Sequence, residues 1–107
     1  MRFEILQLLY SIIRLAAPLL RKIANHDPDL AKQIRRALNS AVLQAAEGNR
    51  ARGRNRNAKF RGAYGEANEA RAGFGAAAAW GDITEKEAQM VDQALDKACG
   101  SLWKLSR

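Results

Sequence analysis

Six cations stand close together in the middle of the chain: Arg50, Arg52, Arg54, Arg56, Lys59 and Arg61, with no acid between Gly48 and Arg61. An arginine guanidinium is a fixed fork of donors that engages phosphate or carboxylate oxygens two at a time, which a lysine ammonium cannot do. A spacing of two places Arg50, Arg52, Arg54 and Arg56 on one side of an extended segment and scatters them on a helix. The 107-residue chain carries 18 Lys and Arg against 11 Asp and Glu, a net charge of +7. Residues 48–61 supply six of those positives and no negative, which leaves the remainder at only +1. The basicity belongs to one stretch. Two readings fit it: a phosphate-binding loop over 48–56 continued by Lys59 and Arg61, or a solvated connection that keeps a near-neutral protein dispersed. No aromatic residue interleaves Arg50, Arg52, Arg54 and Arg56, so nucleic-acid binding would rest on charge and shape.

No other chemistry competes with it. His26 lies in the junction His26-Asp27-Pro28-Asp29 and has no second histidine or cysteine to share a metal with. Cys99 borders an apolar stripe and reads as a small packed residue. The Glu-x-x-His pair that bundles use for di-iron is absent. The glycines between Gly62 and Gly75 lack the Lys-Ser/Thr pair and strand-turn-helix setting of a phosphate loop. No catalytic residue, metal or cofactor is expected, and the chain reads as a non-enzyme. One cysteine excludes an internal disulfide and suits a reducing cytoplasm. Glu4 and Arg14 interrupt the apolar N-terminal stretch, so neither a signal peptide nor a membrane span is expected.

The elements that must position these residues are helices. Apolar spacing predicts one domain over 1–107, with helices over about 3–25, 28–47, 57–80 and 85–105. Asp27 and Pro28 cap the second helix, Thr84 and Glu87 form a capping box for the fourth, and Gly48 marks the expected end of the second. The first helix carries more apolar surface than a bundle needs. Ile5, Leu8, Leu9, Ile12, Ala16, Leu19 and Ile23 make a core stripe, and Leu6, Tyr10, Ile13, Ala17 and Leu20 a second one. We expect Leu6, Tyr10, Ile13 and Leu20 to meet another subunit, since large exposed apolar patches are rare on monomers. Pro18 predicts a kink or break near residues 14–17. Gly62, Gly65, Ala72, Gly73 and Ala76 suggest a close helix–helix contact. Glu69, on the same face, calls for a buried or half-buried ion pair with Arg35, Arg36 or Arg71, or else for exposure at a groove. The sum is an all-α, up-down four-helix bundle.

The segment QIRRALNSAVLQAAEG, residues 33–48, resembles the Q-I-R-R-A…N-I-A-E-G segment of a family of small four-helix-bundle proteins. These proteins are encoded in intervening sequences of bacterial large-subunit (23S) ribosomal RNA genes. Phe60, Ala63, Gly65, Ala67 and Glu69 fall where that family shows F-x-x-A-x-G-x-x-x-E, and Trp80-Gly81 resembles its helix-ending turn. Gln44-Ala45 stands where the family usually has Asn-Ile. The family looks similar in fold to the accessory protein of diversity-generating retroelements, a pentamer that binds a reverse transcriptase and nucleic acid. The resemblance implies a ring-like homo-pentamer with a basic surface and a nucleic-acid or ribonucleoprotein partner, possible protein partners including a reverse transcriptase. A second class of reading is a homo-oligomeric adaptor that docks an acidic protein and has no nucleic-acid role.

Overall fold

The computed structural model describes residues 3–107, and four helices account for nearly all of them: α1 (Phe3–His26), α2 (Pro28–Arg50), α3 (Gly53–Trp80) and α4 (Glu85–Leu105). Each begins and ends where local chemistry requires. The Asp27 carboxylate accepts the Leu30 amide hydrogen at 3.0 Å, and Pro28 occupies the first turn, where its missing N–H costs nothing. At α4 the Glu87 amide donates to Thr84 Oγ1 at 3.0 Å while the Thr84 amide donates to Glu87 Oε1 at 2.9 Å, the expected reciprocal box. Gly81 closes α3 in the left-handed region (φ 85°), with Gly81 N–H donating to Ala78 O and Asp82 N–H to Ala77 O.

Short links make neighbouring helices antiparallel. Lys59–Glu47 and Arg36–Glu69 tie α2 to α3, Arg71–Asp92 ties α3 to α4, and Lys22–Glu87 ties the end of α1 to the start of α4. The molecule measures 43 × 22 × 18 Å, and its long axis is about the ~42 Å that a 28-residue helix such as α3 spans at ~1.5 Å per residue. The core joins the expected stripe of α1 to apolar residues of the other three helices. Ile5, Leu9, Ile12, Leu19 and Ile23 from α1 meet Ile34 and Leu38, Phe60 and Phe74, and Val91, Leu95 and Leu102.

The α2–α3 pair packs most extensively, because its seam is lined by alanine and glycine. A Cβ on Gly73 would sit 2.5 Å from Ile34 Cγ1, and one on Gly48 would sit 2.9 Å from the Phe60 ring. Gly62 also belongs to this seam, against Gln44. Gly65 faces open space, and Ala72 and Ala76 are exposed, so the close contact uses only part of the small-residue set.

Two expectations about helix ends fail. Gly48 does not end α2; it is buried beneath Phe60, and the helix continues to Arg50. The link to α3 is only Ala51 and Arg52, both extended, and Gly53 takes the left-handed turn residue's place (φ 59°). The 48–56 loop therefore shrinks to two residues. The break expected at Pro18 does not occur: α1 stays helical from Phe3 to His26, and Pro18 lies on its exposed face.

Candidate nucleic-acid interface

The six cations are gathered at one end of the bundle, on three kinds of backbone. Arg50 is in the last turn of α2, Arg52 is the N-cap of α3, and Arg54, Arg56, Lys59 and Arg61 occupy the first turns of α3. With the loop replaced by helix, a spacing of two no longer aligns side chains, so Arg54 and Arg56 point to different sides.

That divergence separates them by role. Arg56 is half-buried: its Nη1 donates to the Leu105 carbonyl at 3.2 Å and to Asn57 Oδ1 at 3.4 Å, and its guanidinium carbon lies 5.0 Å from the Phe60 ring centroid. A cation on one of the last carbonyls of α4 is favoured by the helix dipole, and its place over Phe60 adds a cation–π contact. Its Nε is buried without a partner. Arg56 is thus a tie between α3 and α4, and it is withdrawn from the surface set. Lys59 is paired with Glu47 at 3.2 Å. Arg50, Arg52, Arg54 and Arg61 are exposed, and among the described residues none of them has an ion-pair partner.

The backbone beneath them adds to the positive field. α3 starts with no side-chain cap on its N-terminal amides and no acid in its first turn. Its dipole therefore points an unneutralised positive end into a cluster of arginines. The antiparallel topology also brings the end of α4 here, with exposed Lys104 and Arg107. Sequence reasoning missed these two, although an up-down bundle necessarily sets the end of the fourth helix beside the start of the third.

The ion pair expected for Glu69 forms with Arg36, which also reaches Glu66 at 3.6 Å. It lies on the surface, with side-chain exposures of 58% for Arg36 and 53% for Glu69, so the expected buried or half-buried pair is corrected. Arg71 serves another helix: Nε and Nη2 hold the two oxygens of Asp92 at 2.8 and 3.0 Å, and Nη1 holds Asp96 at 3.1 Å. The hydrogen bonds from Arg71 hold the Asp92 carboxyl below its ordinary range. Arg35 is in no ion pair among the described residues and instead lines a groove between α1 and α2.

That groove encloses about 460 Å³. Ile13, Ala17 and Leu20 form its apolar wall, Arg21, Lys32 and Arg35 bring cations, and no acid lines it. Within one chain Leu6, Ile13 and Leu20 are half-buried and Tyr10 is 37% exposed, so the second stripe of α1 stays partly uncovered.

Among the described residues no group of three His, Cys, Asp or Glu could hold a metal, and no helix is long and apolar enough to cross a membrane. Burial raises the Cys99 thiol pKa, and its Sγ lies 3.7 Å from Asn68 Oδ1, the environment of a packed thiol. No protein-family model, curated protein or solved structure matches the chain.

Proposed function

We propose that this chain is a non-enzymatic, oligomeric bundle that binds nucleic acid, RNA or a ribonucleoprotein, through the basic end formed by α2, α3 and α4. The observation that carries the reading is the set of four exposed arginines, Arg50, Arg52, Arg54 and Arg61, that have no ion-pair partner among the described residues, around the uncapped start of α3. Like charges crowded against a positive helix end repel one another, and a phosphate oxygen placed among them relieves that repulsion while accepting free backbone N–H groups. Such contacts carry no base information, so binding is broad in sequence. The partly uncovered stripe of α1 supports self-association. The pentameric ring, and a reverse transcriptase as protein partner, rest on the resemblance of residues 33–48, 60–69 and Trp80-Gly81 alone. A cytoplasmic setting accords with the one packed cysteine.

The test is a titration of labelled RNA at several salt concentrations. Four neutralised phosphates predict that affinity falls about a hundredfold for a fourfold rise in salt. Binding that is absent at low salt, or indifferent to salt, rejects the reading.

One observation favours the adaptor reading instead. The α1–α2 groove combines an apolar wall with Arg21, Lys32 and Arg35, which suits an acidic amphipathic segment of another protein. A protein partner captured from the host without nucleic acid, and released when Lys32 and Arg35 are replaced, would support it.

A further inference from the structure

The basic end is continuous with an aromatic pair that the sequence keeps far apart. Tyr64 on α3 and Trp103 on α4 have ring centroids 5.4 Å apart at an interplanar angle of 48°. Tyr64 packs partly against the core, while Trp103 remains 49% exposed. Tyr64 therefore props an indole that water still reaches. The surroundings of that indole are cleared and charged. Gly100, one turn earlier on α4, has open space where a side chain would be. Lys104 and Arg107 follow on the same helix end, and Arg61, one turn before Tyr64, completes a set of three exposed cations. Toward the start of α4 the charges are exposed Lys97 and then Asp96 and Asp92, the two acids being held by Arg71. Positive charge thus lies on the basic-end side of the indole.

We infer that Trp103, supported by Tyr64, is a stacking platform for an unpaired base of a single strand whose phosphates lie on Arg61, Lys104 and Arg107. This rests on the proposed nucleic-acid role of the basic end and names its substrate class: single-stranded rather than duplex. An exposed indole face stacks on any base, whereas the bases of a duplex are already stacked on one another.

The experiment uses the full chain carrying Trp80→Phe, so that Trp103 is the single tryptophan, with oligouridylate and a blunt RNA duplex of equal length as probes. Oligouridylate is expected to quench Trp103 emission, and the duplex to leave it unchanged. Trp103→Ala should weaken oligouridylate binding about tenfold or more with an unaltered salt slope, and should leave duplex binding as it was. Trp103→Phe, which keeps a ring, should recover most of the loss; circular dichroism confirms that each variant is folded. If both probes bind but emission does not change and Trp103→Ala binds oligouridylate like its parent, the stacking platform is wrong and the basic end stands. If neither probe binds at low salt, the basic end falls and the platform with it. Loss of self-association in Trp103→Ala, with no loss of single-strand affinity, would assign the indole to a subunit contact and also overturn the inference.

Discussion

Arginines that are adjacent in sequence do different work here, and thermal unfolding can tell them apart. Arg56 donates to the Leu105 carbonyl and covers Phe60, whereas Arg54 has no ion-pair partner among the described residues and is exposed. Arg56→Ala should cost about 1.5–3 kcal/mol, the range for a charge-assisted hydrogen bond, and Arg54→Ala less than about 0.5 kcal/mol. Equal effects in a denaturant titration would contradict the division of roles. Arg71 and Asp92 make the second residue-scale case. Arg71 lowers the Asp92 pKa from its usual 3.8, so the pair stabilises the fold above that pH and the contribution is lost as pH falls through the lower folded value. Asp92 is 47% exposed, which keeps the effect under about 1 kcal/mol. Asp92→Asn should be slightly less stable at neutral pH, and the difference from the parent should vanish in acid. A difference that persists once Asp92 is protonated in the folded parent would show that packing, and not charge, is lost.

At the scale of elements, glycine positions that look alike in sequence differ in sign. Gly65→Ala meets nothing within 4 Å and should stabilise α3 by about 0.5–1 kcal/mol, the helix-propensity gain. Gly73→Ala drives a methyl against Ile34 in the α2–α3 seam, and overpacking of about 1–3 kcal/mol there outweighs the same gain. Melting temperatures moving in opposite directions would establish the close approach; two increases would refute it. The same distinction explains what was legible in the sequence. Periodicity gave four helices and most of the core, and Asp27, Thr84 and Glu87 fixed two helix starts, because capping depends on residues a few positions apart. Gly48 misled because a glycine at a helix end and a glycine beneath an aromatic ring read identically until Phe60 is placed over it. The arginine alternation then suggested an extended loop that two helices had already absorbed. Pairings across helices, such as Arg56 with Leu105 and Tyr64 with Trp103, were not legible, since nothing local specifies which side of a helix meets a partner.

For the whole molecule, assembly and binding are separable. Tyr10 is the most exposed of Leu6, Tyr10, Ile13 and Leu20 in a single chain, so Tyr10→Asp perturbs a subunit contact with least damage to the core. Light scattering should show an oligomer for the parent and the 11.8 kDa chain for Tyr10→Asp. A parent that is monomeric at micromolar concentration would remove the α1 interface. The central claim, that the four exposed arginines of the basic end bind phosphate, is tested most directly by one comparison. The dependence of log affinity on log salt is measured with labelled RNA for the parent and for a variant with Arg50, Arg52, Arg54 and Arg61 all changed to Ala. The account predicts a slope of about −3 to −4 for the parent, reduced by nearly one for each arginine removed, with little change in melting temperature. A folded fourfold variant that binds as tightly as the parent with the same slope would contradict it.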